Sequence, residues 1–229
     1  MDPKTSPTYA PISYKEIRHN DEVNALIERG NHTLGVMGYT EHSRKHAVKI
    51  ATGAGEILQE LGYDERTCEL ARIAGYLHDI GNCVNREDHP HSGAIMAFHI
   101  LRGLHMDPQE VAQVVSAIGQ HDESTGTAVD PISAAVILAD KTDVRRNRVR
   151  NRVKARFDKH DRVNYAAVSS KLSVCPDKKT ARLDIELDED ICSILDYFEI
   201  FLGRMLMCKR AAEVLGLKFR MNANGHKMC

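Results

Sequence analysis

The sequence lacks several features that would each point to a particular class of protein. Its 31 basic and 32 acidic residues give a net charge of −1 with neutral histidines. The chain as a whole therefore carries no electrostatic signal for nucleic-acid binding, and such a surface would have to be local. No apolar run approaches the roughly 18 residues of a membrane span. The N-terminal sequence MDPKTSPTYAPISYKE lacks the charged-then-apolar order of a signal peptide. We expect a cytoplasmic protein without membrane contacts.

The cysteines are also arranged in a way that excludes common functions. All six lie far apart, and none forms a CxxC pair. This spacing disfavours a disulfide framework and a zinc ribbon, and it predicts buried or reduced surface thiols. Histidine, by contrast, is frequent, with twelve in 229 residues. Many of these will be ordinary surface residues, so their positions must decide which of them matter.

Apolar periodicity divides the chain into three parts and predicts a mainly α protein. Residues 1–29 are interpreted as an N-terminal arm, because residues 1–15 hold three prolines and several small polar residues. Residues 30–155 are dominated by helical periodicity and predict an all-helical bundle. Residues 156–229 predict a small α+β unit.

Helical patterns in the central part predict five helices. Residues 68–78 are apolar on nearly every face, as expected for a central buried helix. Asp64 or Thr67 is expected to cap this helix, and Gly81 to end it. The predicted helices are 46–61, 68–78, 92–104, one that begins at Pro108 and one that begins at Pro131.

The C-terminal part shows a different pattern. Residues 163–174 and 180–187 read as strands of an antiparallel sheet, with a turn at 176–179 between them. A long helix over 191–215 is expected to begin after Asp188 or Asp190 and to end at Gly216, before a short strand at 218–221. No catalytic motif is found in this part of the sequence. Its apolar helical stripe is explained by packing within the subunit or at a dimer contact.

The segment most informative about chemistry is His78-Asp79, at the end of the apolar helix. Burying a carboxylate there is expensive unless a partner or a metal ion neutralises it. The dipeptide alone is equally compatible with a structural role.

Four other metal-binding residue types fall at helix ends next to a buried face. His46 opens a helix, His89 precedes one, His121 ends one and Asp140 lies late in one. A helical bundle can aim such side chains from separate helices at one central point. Four imidazoles and two carboxylates suit Fe, Mn, Co or Zn better than Ca or Mg.

This pattern resembles the HD superfamily of metal-dependent phosphohydrolases, whose signature runs His…His-Asp…Asp. The resemblance covers roughly residues 40–145 and assigns the signature to His46, His78, Asp79 and Asp140. His89 and His121 match the two further histidines of members that hold two metals. The His-x-x-x-Gly-Ala step at 89–94 and the Ala-Ile-x-x-His step at 117–121 are similar to that branch.

The resemblance implies an HD-type domain over residues 30–155 that binds one or two divalent metal ions. Iron is the metal we expect first, as a two-iron centre, with Mn, Co or Zn as alternatives. The implied reaction is hydrolysis of a phosphate ester or anhydride by a metal-bound hydroxide, with Asp79 as the bridging ligand. We expect the substrate to be a phosphorylated small molecule, and a nucleotide in particular. The competing hypothesis is a metal- or nucleotide-binding sensor without turnover.

Departures from known branches leave the substrate open. Asn82 stands where many members have lysine. The Gly-Tyr-Pro signature of the cyclic-dinucleotide branch is absent, as is the Glu-Asp pair of guanosine tetraphosphate hydrolases. The six-ligand layout is most similar to hydrolases of diadenosine tetraphosphate, which is an analogy at the level of the family.

Three single residues have weaker claims to a function. His42, placed one helical turn before His46, could contact substrate or carry a proton, or it could be a surface residue. Lys141 could contact a phosphate or be a solvated lysine. His91 is the alternative to His89 as a ligand.

Two larger sets of side chains also carry weaker signals. One is a basic run that consists of Arg145, Arg146, Arg148, Arg150 and Arg152. It is interpreted as a solvated helix face first, and otherwise as an anion-binding surface or an RNA contact. The histidines expected to be structural or exposed are His19, His32, His99, His105, His160 and His226.

Overall fold

The computed structural model describes residues 9–151 and 157–229. Helices occupy most of the chain up to residue 141 and return after residue 158. They are α1 (Tyr14–Arg18), α2 (Asp21–Val36), α3 (Arg44–Glu60), α4 (Glu65–Leu77), α5 (His89–Gly103), α6 (Pro108–Gly119), α7 (Pro131–Lys141), α8 (Lys159–Ala166) and α9 (Ile194–Val214). The strands are β1 (Ala167–Cys175), β2 (Thr180–Leu187), β3 (Lys218–Ala223) and β4 (His226–Lys227). The predicted mainly α architecture, a helical bundle followed by a small α+β unit, is confirmed.

Local signals explain where most bundle helices begin. Asp64 accepts a hydrogen bond from the Thr67 amide at 2.9 Å and caps α4. Pro108 and Pro131 lie in the first turns of α6 and α7, where a missing N–H costs nothing. The predicted start of α5 at residue 92 is wrong by three residues, because Pro90 is likewise accommodated in a first turn. Gly81 lies in a short 3₁₀ turn beyond the end of α4 and does not terminate the helix.

The centre of the bundle is α4, which packs against α3, α6 and α7. Its residues from Leu70 to Leu77 are almost all buried, as the apolar sequence predicts. A Cβ on Gly75 would lie 3.0 Å from the backbone of Ala51, so glycine allows α3 and α4 to approach closely. Because α4 is surrounded, the residues at its C-terminal end are held inside the protein.

The N-terminal part of the chain is helical from Tyr14 onward, where the sequence predicted an arm. Residues 14–29 form α1 and the first half of α2, and α1 begins with a capping box between Ser13 and Glu16. Ile17 and Val23 are fully buried in the common core. The division of the chain at residues 29 and 155 stays a prediction.

The C-terminal sheet is mixed, and the expectation of an antiparallel sheet is wrong. Strands follow the order β1-β2-β3-β4, and β2 pairs with β3 in parallel. Helix α9 connects these two strands and so returns the chain in the same direction. It begins at Ser193, which caps it through the Asp196 amide, in place of Asp188 or Asp190. It ends before Gly216, whose φ of +71° favours glycine.

Residues 163–166 were predicted to start a strand but belong to α8. Asp158 caps this helix by accepting a hydrogen bond from the Asp161 amide. The α8 and α9 helices pack against each other, and α9 packs against α7. The C-terminal unit is thereby joined to the bundle through one continuous apolar core. Within residues 9–151 and 157–229, no helix has both the length and the apolar composition needed to cross a membrane.

Candidate active site

The six residues singled out as metal ligands come from separate helix ends that meet in the bundle. His46 lies in the first turn of α3, and Asp140 lies in the last turn of α7. His78 ends α4, and Asp79 follows it. The other two, on α5 and just after α6, are His89 and His121.

The first group of donor atoms consists of two imidazole nitrogens and two carboxylate oxygens. His78 Nε2 lies 3.1 Å from Asp79 Oδ2 and 3.7 Å from Asp140 Oδ1. His46 Nε2 lies 3.4 Å from Asp140 Oδ1 and 3.7 Å from Asp79 Oδ2. Donors that each lie about 2.0–2.2 Å from one ion would be spaced by about 2.8–3.6 Å in octahedral or tetrahedral coordination. The observed spacing is close to that range, so this group fits one metal ion.

The second group shares Asp79 with the first. His89 Nε2 lies 3.2 Å from His121 Nε2 and 3.4 Å from Asp79 Oδ1. His121 Nε2 lies 3.8 Å from the same oxygen. The two oxygens of Asp79 therefore face different groups of imidazoles, as required of a carboxylate that bridges two ions.

Each of the four histidines uses its other ring nitrogen for a hydrogen bond to an oxygen. His46 Nδ1 donates to Asp143 Oδ2 at 2.9 Å, and the other three donate to backbone carbonyl oxygens at 2.7–3.0 Å. A carbonyl oxygen only accepts, so the proton of the neutral ring lies on Nδ1 and the lone pair lies on Nε2. In the neutral ring, each of the four Nε2 atoms thus carries the lone pair that a metal ion would bind.

Two of these atoms are buried without a hydrogen bond. Among the described residues, His46 Nε2 and His78 Nε2 have no hydrogen-bond partner. A buried polar atom left unpaired is costly, and a native structure that keeps two of them beside carboxylates calls for a bound group. The donor set and its unpaired atoms together fit a divalent cation.

The carboxylates give the cluster a preference for positive charge. Burial alone would lower the pKa of His78, but the charges of Asp79 and Asp140 raise it to about 10. Burial would raise the pKa of both carboxyl groups, yet His78 beside Asp79 and Lys141 beside Asp140 hold them well below their usual range. Burial and the neighbouring His78 lower the pKa of His121 to about 3. Without an ion, a proton on His78 supplies the missing positive charge.

His89 is the histidine that joins the cluster, as preferred over His91. The His91 side chain is 55% exposed and lies near Asp88 on the surface, with 3.4 Å between His91 Nδ1 and Asp88 Oδ1. His89 is buried and also accepts a contact from Arg86 Nη1 at 3.2 Å. A guanidinium therefore lies beside the second donor group.

His42 lies next to the cluster but outside the helix on which it was expected. Ser43 caps α3, so His42 precedes the first turn. Its ring lies 5.6 Å from that of His46, and its Nδ1 donates to the Thr40 carbonyl at 2.8 Å. Burial lowers its pKa well below the ordinary value. His42 is therefore neutral near pH 7, with Nε2 as an acceptor.

Lys141 is buried, and its ammonium is shared between two acids. Nζ lies 2.9 Å from Asp140 Oδ2 and 2.7 Å from Glu123 Oε2. Burial would lower the pKa of this lysine, but the two carboxylates raise it. The solvated-lysine interpretation is wrong, and the contacts show that Lys141 orients a candidate ligand.

Within the described residues, the basic run does not form a helix face. Arg145 pairs with Asp143, and Arg146 donates to the Tyr165 carbonyl. Arg148 is buried and donates to the backbone carbonyls of residues 41 and 143. Arg150 donates to the Tyr39 carbonyl, and position 152 lies outside the described residues. These arginines mainly join loops of the protein to each other.

Residues that the sequence did not reveal complete the site. Asp143 is buried and binds His46, Lys49 and Arg145. It lies three positions after Asp140, a spacing that could have drawn attention to it. Asn82, noted in the sequence only as a departure from the family, donates to Asp79 Oδ1 at 2.7 Å and so orients the shared carboxylate.

A cavity of about 190 Å³ opens onto the donor cluster. His160, expected to be structural or exposed, lines it together with Asn164 and Arg204 of the C-terminal helices. The remaining lining residues are Gly38, Tyr39, Thr40, His42, Asp79, Arg86, His89, His121, Asp122, Glu123, Asp140, Lys141, Arg148, Asp158 and Asp161. The wall contributed by α8 and α9 depends on tertiary packing, which carries no local sequence signal.

Comparison with known families agrees with this geometry. The model of the HD domain matches residues 29–163, which is more than half of the chain. The chain belongs to the HD domain family. Membership of this family implies that the protein binds a divalent metal, and two His/Asp groups of the described residues could hold one.

Several known proteins are similar to this chain over part of its length. An uncharacterized protein from Methanocaldococcus jannaschii is 28% identical over 201 residues, covering 77% of this chain and 76% of its own length. Ribonuclease Y from Deinococcus radiodurans is 34% identical over 108 residues, covering 42% of this chain but 17% of that enzyme. Ribonuclease Y from Clostridium perfringens is 30% identical, covering 59% of this chain and 26% of its own length. A predicted HD superfamily hydrolase of known structure, from an uncultured Thermotogales bacterium, gives a TM-score of 0.43 at 26% identity, covering 55% of this chain and 68% of its own.

Proposed function

We propose that this HD protein is a metal-dependent phosphohydrolase that cleaves a phosphate ester or anhydride of a nucleotide. The observation that carries the proposal is the convergence of four Nε2 atoms and two carboxylates in two donor groups that share Asp79, beside one cavity. His46, His78, Asp79 and Asp140 would hold one ion, and His89, His121 and Asp79 a second. Bound divalent ions supply an activated water at neutral pH and neutralise phosphate oxygens as charge develops.

The chain's own residues prepare the site for this reaction. Asp143 and Asn82 orient His46 and Asp79 through their hydrogen bonds, so the donor atoms are positioned before an ion arrives. Lys141 holds Asp140 at 2.9 Å and offsets its charge. The six ligand assignments, and the role of Asp79 as the bridge, are part of this proposal.

His42 is the proposed proton carrier. It lines the cavity, remains neutral near pH 7 and keeps an accepting Nε2 while its Nδ1 is bound to Thr40. A group in this state can accept a proton from an attacking water and pass it on. Lys141 is proposed to act through Asp140, and its expected contact with a phosphate stays a prediction.

The ribonucleases among the relatives extend the class of esters to be tested. The matched part is a minority of each of those enzymes, so their activity does not transfer as a whole. An RNA phosphodiester is nonetheless a phosphate ester, and a short oligoribonucleotide belongs in the substrate screen.

The decisive experiment is metal analysis of the purified protein followed by a phosphate-release screen. Protein reloaded separately with Fe²⁺, Mn²⁺, Co²⁺ or Zn²⁺ is offered nucleotides, other phosphate esters and anhydrides. We expect turnover with at least one metal and none with the Asp79→Ala variant. If no metal supports turnover of any compound but a nucleotide binds tightly, the protein is a sensor. The dimer contact that the sequence left open and the expected cytoplasmic location require separate measurements of oligomeric state and localisation.

A further inference from the structure

Arg204 is an unusual residue for the buried face of α9. It lies between Phe201 and Met205, both of which are buried, while its own side chain is 23% exposed and lines the cavity. The guanidinium lies over the Phe201 ring at 4.3 Å from the centroid. Nε donates to Glu123 Oε1 at 2.9 Å. The flat group is therefore held on one face by the ring and at one edge by the carboxylate.

The outer edge of this guanidinium is unused. Among the described residues, Nη1 and Nη2 of Arg204 make no hydrogen bond to a protein group. Both nitrogens are donors in a planar fork that matches two oxygens of a phosphate or carboxylate. The contacts with Phe201 and Glu123 hold the guanidinium in place, and its two free nitrogens lie beside the cavity. Arg204 is therefore preorganised to bind an anion.

The charge of Arg204 is only partly compensated. Its partner Glu123 also contacts Lys141, with 2.7 Å between Oε2 and Nζ, and Lys141 in turn contacts Asp140. One carboxylate thus serves two cations, and Arg204 stands at the end of this row farthest from the candidate ligand Asp140. An anion bound there would lie beside the metal cluster but outside it.

The other cations around the cavity are committed to protein groups. Arg148 donates to two backbone carbonyls, and Lys141 is shared by two acids. Arg86 contacts Asn82 Oδ1 at 3.4 Å and Asp122 Oδ2 at 3.8 Å, and neither contact involves a candidate ligand atom. Within the described residues, Arg204 is therefore the cation of the cavity wall best placed to bind part of a substrate.

We infer that Arg204 is a specificity-determining residue that binds a phosphate in the leaving group of the substrate, so that the preferred substrate is a phosphate anhydride. This inference rests on the proposed function. The cavity of about 190 Å³ is slightly larger than an engineered cavity of about 150 Å³ that holds benzene and smaller than the roughly 300 Å³ of a small drug site. It can enclose linked phosphoryl groups, while the rest of the substrate lies at the mouth.

The implied reaction is a balanced hydrolysis. The oxygen of one water molecule forms a bond to the attacked phosphorus, and the bond from that phosphorus to the bridging oxygen breaks. The bridging oxygen keeps the electron pair and leaves as part of a phosphate. The two protons of the water end on the two phosphate products or in solvent. Arg204 would pair with the leaving phosphate, where negative charge increases.

The alternative is that Arg204 only ties α9 to the bundle through Glu123. Arg204→Lys tests this, because lysine can keep the ion pair but lacks the fork. Arg204→Gln removes the charge. Arg210→Gln is the matched control, since Arg210 lies on the same helix, is exposed and does not line the cavity. Thermal melting and metal content of each full-length variant report whether the fold and the metal cluster persist.

The experiment measures binding of two non-hydrolysable probes to the Mn²⁺-loaded protein by calorimetry, at one free Mn²⁺ concentration throughout. Methylenediphosphonate carries two phosphoryl groups, and methylphosphonate carries one. We expect wild-type protein to bind the diphosphonate at least about tenfold more tightly. Arg204→Gln should lower the affinity for the diphosphonate by about 10- to 150-fold, as expected for loss of a charged hydrogen bond. It should leave the affinity for methylphosphonate within about threefold of the wild-type value. The affinity of Arg204→Lys for the diphosphonate should lie between those of wild type and Arg204→Gln, and the affinity of Arg210→Gln should equal that of wild type.

Equal affinity of wild type for the two probes would overturn the inference. The inference would also fail if Arg204→Gln lowered the affinity for both probes equally or for neither. A short oligoribonucleotide is the third probe. If its binding depends on Arg204 while that of the diphosphonate does not, the second anion is a backbone phosphate and our assignment of an anhydride is wrong. Absence of turnover on any phosphate compound would refute the proposed function separately, because these binding measurements need no catalysis.

Discussion

Asp143→Asn should weaken metal binding although Asp143 donates no atom to the cluster. Its carboxylate is fully buried and accepts a hydrogen bond from His46 Nδ1 at 2.9 Å. It also contacts Lys49 Nζ at 2.5 Å and Arg145 Nε at 2.7 Å. Burial would raise the pKa of Asp143, but the hydrogen bond from His46 and the neighbouring Arg148 and Arg145 hold it far below its ordinary value. The substitution therefore removes a charge that is present at every pH near neutrality.

The size of the effect follows from what asparagine retains. Its amide oxygen can still accept from His46 Nδ1, so the ring can keep its orientation and tautomer. The loss is the negative charge that makes the imidazole a stronger ligand. Substitutions of this kind cost about 10- to 100-fold in metal affinity, or about 1.4–2.8 kcal/mol. The fold should survive, because Lys49 and Arg145 are partly exposed and can turn to solvent, while the buried Arg148 keeps its hydrogen bonds to the backbone carbonyls of residues 41 and 143.

The assay is competition for Co²⁺ or Mn²⁺ between the protein and a fluorescent chelator. Asp188→Asn is the matched control, since Asp188 pairs with Arg146 at 3.2 Å on a partly exposed surface outside the cavity. We expect its metal affinity to equal that of wild type. If Asp143→Asn binds its first ion as tightly as wild type, the hydrogen bond to His46 does not tune a ligand, and the role assigned to Asp143 is wrong.

Four further results are expected. Asp79→Ala should abolish binding of both ions and lower turnover by several orders of magnitude, measured by metal analysis and phosphate release, because both donor groups share this carboxylate. His42→Ala should lower turnover by about 10²–10⁴-fold while metal content stays near normal. Gly81→Ala should lower the melting temperature and disturb His89, because its Cβ would lie 2.0 Å from the His89 carbonyl oxygen. The pKa of His78 is raised to about 10 in the metal-free protein, so the protonated ring stabilises the fold fully below the unfolded pKa of about 6.5, and this stabilisation is lost as the pH rises through 10. The melting temperature of the metal-free protein should therefore fall between these two pH values. Ion binding at pH 8 should release the proton of His78, which calorimetry in two buffers detects.

The bundle could be predicted because its determinants are local. A helix needs an apolar stripe and a capping residue, and Asp64, Pro108 and Pro131 supply the starts at the expected positions. The cluster could be predicted for a related reason. Metal-binding side chains at several helix ends stand out against apolar neighbours, and the four histidines and two aspartates singled out in the sequence do lie together.

The C-terminal unit could be predicted only in outline, because its arrangement depends on contacts distant in sequence. Residues 163–166 alternate as a strand would, yet they continue the helix that Asp158 caps. The parallel pairing of β2 with β3 follows from the packing of α9, which strand patterns do not reveal. Arg204 belongs to an apolar helical stripe, so only its partner Glu123 and the cavity beside it give it a function.

The charges around the site link the number of bound ions to the affinity for substrate. With all four histidines neutral, the donor groups carry two negative charges, those of Asp79 and Asp140. Asp143 and Glu123 are already offset by basic partners. One divalent ion therefore neutralises the cluster, and a second leaves an excess of two positive charges on the buried donor groups. A buried excess charge is unfavourable unless an anion accompanies it. Occupancy of the second position and binding of a phosphate dianion should thus support each other, so a chain with only the first ion would bind phosphate weakly however well its cavity is shaped.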